Sequence, residues 1–481
     1  MFTYININKT MKHQYIKFLS IFAFFSIFLA GATYAQTPNT NYFIESSHTR
    51  NSLNPALRPN SSYVGMPFLS GVAIDYKTNT FNLDNFTSKV GGERVTFMHH
   101  DVSVDDFMSN ISEDNYLSTS LGYDIFSMGF YKGKSFWNIN MGVKTQIDAN
   151  LPKNLFRLAK EGFGREDLTS YDLKDISATA NSYLELGIGY SRPFLNNNLI
   201  VGTKAKLLGG IANFDLQAER FDLKASATEW RAQSRVRFDA SAPGIEADYN
   251  RDGMFEGFDF GNNWGSPTGF GFGFDLGAVY DFKDMNMLPD AFKNLKASMS
   301  FTDIGFISWS KKNSVHLVSP DDEIVVIPSD YTIHTDGSTS IEDIFDDVID
   351  DLEEVVNLKE HKKGGRTTAL RTTMNIGLEY SFLNNKLSTG LLYSNRFGRY
   401  FNTQELTLSG NYRPNSWFAT SLSYSFMHSN FNTLGGALYL TPSKVVHFFV
   451  VSDYIISHVS PEYIPSTSNA LNVQFGISIP M

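Results

Sequence analysis

From about residue 117 onward, hydrophobic and polar positions alternate with a period of two. In 182–190, Leu184, Leu186, Ile188 and Tyr190 share one face, opposite Tyr183, Glu185, Gly187 and Gly189. In 269–282, Phe270, Phe272, Phe274, Leu276, Ala278, Tyr280 and Phe282 fall together; the other face carries four glycines with Asp275, Val279 and Asp281. The same alternation sets Met374, Ile376, Leu378 and Tyr380 against Asn375, Gly377, Glu379 and Ser381. At the C-terminus it sets Leu471, Val473, Phe475, Ile477 and Ile479 against Asn472, Gln474, Gly476 and Ser478. Successive side chains of a strand point to opposite sides, so each segment reads as a strand with one face suited to hydrocarbon.

The connections suggest the topology. Six are short: 132–134, 193–198, 283–294, 383–385, 414–415 and 442–443. Three others are long, at about 148–175, 216–268 and 311–366. Short turns on one side and long loops on the other are the asymmetry of outer-membrane barrels. Six hairpins give twelve strands; one more at 63–76 and one at 469–480 bring the expected number to 14. After residue 35 there is no apolar run long enough for a spanning helix. In hydrocarbon every backbone N–H and C=O needs a partner, which leaves a closed barrel. Tyr190, Tyr280, Phe282, Tyr380, Phe382 and Tyr412 sit near strand ends, where an interfacial girdle belongs. A secreted β-sandwich or propeller also alternates, but the aliphatic and aromatic face is too continuous for contact with water. The expected fold is therefore all-β: a closed antiparallel transmembrane barrel over 61–481, with long extracellular loops carrying one or two helices.

The first residues have a different character. Lys12 and Lys17 flank a short basic region, 18–29 is apolar, and Gly31-Ala32-Thr33-Tyr34-Ala35 is rich in small residues. That order describes a cleaved export signal over 1–35, followed by an N-terminal segment or hatch at 36–60. Beyond residue 35 the chain holds 37 basic and 50 acidic residues, a net charge of −13, which argues against nucleic acid as a partner. There are no cysteines, hence no disulfides and no thiolate metal site or nucleophile.

Several stretches resemble a known family. They are Leu53-Asn54-Pro55-Ala56-Leu57, 121–134 (LGYDIFSMGFYKGK), 269–282 (GFGFGFDLGAVYDF), 301–309 (FTDIGFISW) and the last strand. In this order the set resembles outer-membrane barrels of Bacteroidota grouped as a domain of unknown function. They are related to FadL-like fatty-acid transporters and PorV-like secretion barrels. The resemblance implies a fourteen-stranded barrel, and it favours folding of the segment with Asn54, Pro55 and Ala56 into the lumen. It implies no established activity.

Candidate chemistry is sparse. Asp248, Asn250, Asp252, Met254, Glu256 and Asp259 occupy positions 1, 3, 5, 7, 9 and 12 of a loop with Gly253 at position 6. Oxygen ligands at that spacing, with a backbone carbonyl at position 7, suit calcium, although flanking helices are not evident. A polar outer loop without an ion has the same composition. The inner face is expected to carry Glu185, Lys204, Lys206, Asp275, Asp281, Lys296, Glu379, Glu405 and Arg413. Such charges line a pore, or satisfy one another and the N-terminal segment. An acidic amphipathic helix is expected at 341–358, and a second short one at 152–162 with Leu155, Phe156 and Leu158. The ten histidines are scattered, and His99-His100-Asp101 is too local to form a catalytic constellation. No enzyme is expected. Two readings remain: a FadL-like barrel that binds or passes small hydrophobic molecules across the lipid of the outer membrane, and a PorV-like docking barrel for a surface or secretion protein.

Overall fold

The structure is a computed structural model. It describes residues 37–67, 69–162, 166–249, 255–261, 267–284, 289–319, 321, 323–326, 356, 358–361, 364–427, 432–442, 445–455 and 469–481.

Fourteen antiparallel strands form the barrel. β1 is in two pieces, Tyr63–Gly65 and Val72–Thr78; β2 is Asp114–Lys132, β3 Ser135–Pro152, β4 Ser177–Phe194, β5 Leu199–Ala225, β6 Gly269–Asp281 and β7 Leu295–Trp309. β8 is Thr373–Phe382, β9 Leu387–Phe397, β10 Asn402–Tyr412, β11 Phe418–Met427, β12 Asn432–Leu440, β13 His447–Tyr454 and β14 Ala470–Pro480. Each strand pairs with the next. β14 returns to β1, with Pro480 opposite Tyr63 and Phe475 opposite Val72, so the sheet closes. Closure removes both free edges, as a bilayer requires.

Polarity is turned inside out relative to a water-soluble core. Phe270 is 67% exposed and Ile188 50%, while Asp275 is 0% and Glu185 1%. An apolar belt of this extent is stable against lipid tails, not against water. Aromatic pairs such as Tyr280–Phe282 and Tyr380–Phe382, each with ring centroids 4.9 Å apart, mark the short-turn end.

The wall is lopsided. β2 to β5 are 18 to 27 residues long, whereas β8 to β14 have 8 to 11. About 9–11 tilted residues suffice to cross a bilayer, so the long strands stand beyond it. Here the expected loop boundaries are corrected. The 148–175 loop begins only after Pro152, and 216–268 does not begin as a loop, because β5 continues to Ala225 and pairs with a strand at Trp230–Ser241. That strand pairs in turn with Ser314–Val318. The alternation was hard to follow because a bulge intervenes: Arg220 pairs Arg235, but Ala218 pairs Val236, leaving Glu219 extra. One extra residue reverses the faces. Buried positions pass from Ala212 and Ala218 to Phe221, Leu223 and Ala225.

The connection at 79–113 also folds, which the alternation did not indicate. α1 (Leu83–Phe86) is capped by Asn82, whose side chain accepts the Asn85 N–H, and α2 (Val104–Ser109) by Ser103, which accepts the Asp106 N–H. Phe86, Phe97 and Phe107 pack with Phe156 of α3 (Lys153–Glu161) into an aromatic cluster at the long-loop end. The expected helix at 341–358 lies outside the described residues, apart from Val356 and Leu358.

Candidate functional site

The lumen is occupied by the chain's own N-terminal segment. Residues 37–60 form a hatch with two 3-10 turns, Asn39–Asn41 and Thr49–Ser52, and Tyr42, Ile44 and Asn54 are fully buried. Glycines on the inner faces make the space. A Cβ on Gly202 would lie 2.3 Å from the Pro55 carbonyl, one on Gly277 2.0 Å from the Asn54 side chain, and one on Gly390 2.4 Å from Phe43. These approaches exclude any larger residue without moving the hatch.

Hydrogen bonds hold it. The Asp453 carboxylate accepts the N–H groups of Asn39 and Thr40, both at 2.8 Å. The Leu53 carbonyl accepts from Ser300 Oγ at 2.7 Å and from Asn375 Nδ2 at 2.9 Å. Tyr439 donates its hydroxyl to Asn41. Glu45 pairs with Lys296 at 3.3 Å and lies 3.9 Å from Arg413. Burial works against ionisation of Glu45, but Lys296, Arg413 and Arg50 outweigh it and hold the carboxyl at about 2.

His48 sits at the barrel seam. Its Nε2–H donates to the Ser70 carbonyl, in the break of β1, and its Nδ1 accepts from Ser478 Oγ of β14, both at 3.2 Å. The ring packs on Tyr63 and Phe449. Burial lowers its pKa to about 4, so the neutral imidazole bridges the first and last strands.

Above the hatch, the wall carries a charge network. Lys206 lies 2.6 Å from both Asp275 and Asp303. Lys144 lies 2.7 Å from Glu185 and 3.2 Å from Asp303; Lys204 lies 3.4 Å from Glu185. A second group joins Lys77 to Asp75 and Glu405, and Arg396 to Asp75. Arg413 bonds Glu379 at 3.0 Å near the short-turn end. Asp281 lines a cavity of about 200 Å³ beneath the hatch, together with Glu45, Arg50 and Ala56.

The candidate inner-face residues thus fall into three groups rather than one. Glu185, Lys204, Lys206 and Asp275 meet each other; Glu405 of β10 joins Lys77 of β1 and Tyr454 of β13; Glu379, Arg413 and Asp281 surround the hatch, to which Asn54, Pro55 and Ala56 belong. Lys144, Asp303, Asp75, Lys77, Arg396 and Asp453 complete these groups and were not anticipated. Parity alone marks Asp75 and Lys77, which alternate with Ile74. Asp303 is harder to find, since it sits at φ +57° beside a register shift between β6 and β7.

The calcium-like stretch is split. Asp248 and Asp259 lie on paired strands, Ile245–Tyr249 and Phe255–Phe260, with Asp248 opposite Gly257 and Asp259 opposite Glu246. Asn250, Asp252 and Met254 lie outside the described residues, as does the side chain of Glu256. Among the described residues, three groups able to hold a metal come together at His99, His100 and Asp101.

Closed wall, apolar belt and occupied lumen define an outer-membrane-type β-barrel stoppered by its own N-terminal segment. The chain belongs to the family of unknown function DUF5723, whose model matches residues 55–453. Among solved structures it is similar to the toluene transporter TodX of P. putida, at 9% identity over 93% of this chain and 96% of that one (TM-score 0.36). It is also similar to a Pseudomonas aeruginosa FadL homologue, at 8% identity over 93% and 99% (TM-score 0.41). A third is the translocator domain of the autotransporter NalP from Neisseria meningitidis, at 7% identity over 88% and 90% (TM-score 0.32). At these scores the fold rests on the strand pairing described above, not on the likeness. No curated protein matches the chain.

Proposed function

We propose that the chain is a non-catalytic barrel of the outer membrane, exported by the signal at 1–35, that passes small molecules past its hatch. The observation that carries this is the way the hatch is held. It fills the lumen, yet its contacts are hydrogen bonds, ion pairs and packing against glycines, all of them reversible. The aromatic cluster at the long-loop end is buried on itself, so a hydrophobic solute at entry is carried over only as the expectation for a FadL-like barrel. The cavity below is lined by polar and charged side chains, and it supports a solute that also makes hydrogen bonds.

The test is reconstitution into liposomes. A hatch-displaced variant, Gly202→Val, is expected to raise the flux of small solutes several-fold over the unchanged chain. Equal flux in both, with both barrels folded, removes the hatch from the mechanism. The sheet beyond the membrane, with exposed Arg231 and Arg235, supports a second reading as a docking surface for a secretion or surface protein. Affinity capture that retains no stable partner counts against that reading.

A further inference from the structure

The cavity of about 200 Å³ beneath the hatch holds a cation without a counter-charge of its own. It reaches solvent at the short-turn end, where the exposed Asn60 and Asn197 line it. Arg50 lines it deeper in. This residue sits in the 3-10 turn Thr49–Ser52, where its carbonyl accepts the N–H groups of Leu53 and Asn54 at 3.1 and 3.2 Å. The backbone is thereby fixed, and the residue is 5% exposed. Its Nε is buried without a partner, and its guanidinium makes no hydrogen bond or ion pair among the described residues. The guanidinium is still close enough to Glu45, Glu379, Tyr42 and Tyr131, all on the same cavity, to act on them through its charge.

The two carboxylates near it already have cations. Lys296 lies 3.3 Å from Glu45, and Arg413 lies 3.0 Å from Glu379 and 3.9 Å from Glu45. Three cations therefore face two carboxylates, and Arg50 is the one left over. The remaining charges on the cavity are engaged elsewhere. Arg58 donates to the Lys134 carbonyl at 3.0 Å and lies over the Tyr131 ring, and Asp281 accepts the Lys283 N–H at 3.1 Å. Burial opposes the charge of Arg50 more strongly than Glu45 and Glu379 support it. A buried cation without its own counter-ion is costly, and an anion brought to it offsets that cost.

The approach to the cavity has the matching sign. The turns that border it carry the exposed cations Lys132, Lys134, Arg192, Lys283, Lys293 and Lys386, against Asp281, Asp284 and Asp290. The chain as a whole is negative. A local positive rim on an acidic protein draws anions to that mouth.

We propose that Arg50 binds a small planar monoanion in this cavity, a carboxylate or bicarbonate, and that the bound anion holds the hatch docked. The guanidinium fork matches the two-oxygen edge of such an ion. One surplus positive charge calls for one negative charge, and Glu45 and Glu379 on the same cavity repel a second. Tyr42, Glu45 and Ala56 of the hatch form one side of the cavity, and Ile200, Val279 and Lys296 of the wall form the other. The site is complete only when the hatch is in place, so an anion that binds there shifts the balance toward the docked state. This goes beyond passage: it needs the docked hatch alone.

The test is calorimetric titration of the purified full-length barrel in detergent, at constant ionic strength, with acetate and separately with bicarbonate. Hydrogen exchange at Tyr42, Phe43 and Ala56 is followed in the same samples. Saturable binding of at least one of the two is expected, and the one that binds names the source. Chloride, and phosphate at a mildly alkaline pH where it is largely a dianion, are expected to bind at least ten-fold more weakly. With the anion at about ten times its dissociation constant, exchange should slow roughly ten-fold. Arg50→Met should abolish both responses, and Arg50→Lys, which keeps the charge without the fork, should weaken binding at least ten-fold. Each variant is first checked for the heat-dependent gel shift of a folded barrel. Absence of saturable binding in the unchanged chain, meaning a cavity filled by water only, overturns the proposal. So does phosphate binding as tightly, or equal binding by a folded Arg50→Met or Arg50→Lys. Binding that leaves exchange unchanged overturns the hold on the hatch. Both readouts are taken without flux, so their failure leaves the passage standing, and a failed passage leaves them standing.

Discussion

Gly202 stands so close to Pro55 that a Cβ on the glycine would lie 2.3 Å from the proline carbonyl carbon. Pro55 is backbone-rigid and Gly202, near the start of β5, is paired on both sides, with Gly277 and Ser191, so neither yields easily. Gly202→Val is therefore expected to unseat the hatch while leaving the wall intact. Hydrogen exchange at 37–60 should rise by at least ten-fold, with the gel shift retained. Unchanged protection at Asn54 and Ala56 would contradict the placement.

Asp453 anchors the other end of the hatch through two charge-assisted bonds. Hydrogen bonds to a charged group are each worth about 1.5–3 kcal/mol. Asp453→Ala should therefore speed exchange at Thr40 and Asn41 by at least ten-fold. The contacts of Asn54 with β6 and β7 are separate, so its protection should persist; loss at both ends together would mean that the hatch undocks as one unit.

Docking of the hatch is also expected to depend on pH. His48 titrates at about 4 in the folded barrel against an ordinary value of 6.5. The undocked histidine takes up its proton first, so acid favours undocking. The stabilisation is complete above pH 6.5, shrinks as pH falls, and is gone below about 4; its full size is about 3 kcal/mol. Glu45, lowered from 4.5 to about 2, loses its contribution only in the window between those values. Protease cleavage within 37–60 should thus increase between pH 7 and pH 5, and His48→Asn should flatten that dependence. A flat profile in the unchanged chain would contradict the buried neutral imidazole.

Much of the wall was legible in the sequence, and the physical reason is parity. Leu186 and Ile188 face lipid while Tyr183 and Glu185 are buried, as an unbroken period of two requires. Turns were legible where chemistry forces them, as at Gly133, with φ +60°, and Leu383-Asn384-Asn385, all at positive φ. Parity gives a face but not a neighbour. Lys206 and Asp303 are 97 residues apart and meet across an intervening strand, which no local pattern encodes. It also fails where a bulge resets it, as at Glu219, and in 79–113, where capped short helices replace strands. The hatch has no period at all. Its glycine contacts at Gly202, Gly277 and Gly390 become readable only once the inner face is known.

Lys206 is the hub of the upper network, 2.6 Å from two carboxylates. Removing one partner of a buried pair leaves an uncompensated charge and costs about 3–5 kcal/mol. Lys206→Met should lower the denaturant midpoint of the detergent-solubilised barrel accordingly, and Lys206→Arg should restore part of it. A midpoint unchanged in Lys206→Met would mean that water already screens these carboxylates.

The most direct measurement locks the hatch and reads flux. The chain has no cysteine, so a pair introduced as Thr40→Cys in the hatch and Ser423→Cys in β11, whose hydroxyl oxygens lie 2.5 Å apart, can join only to each other. Reconstituted in liposomes, the oxidised pair is expected to pass no small solutes, and the reduced pair to recover the flux of the unchanged chain. Equal flux in the oxidised and reduced states, with the disulfide formed, would contradict a passage that opens by moving the hatch.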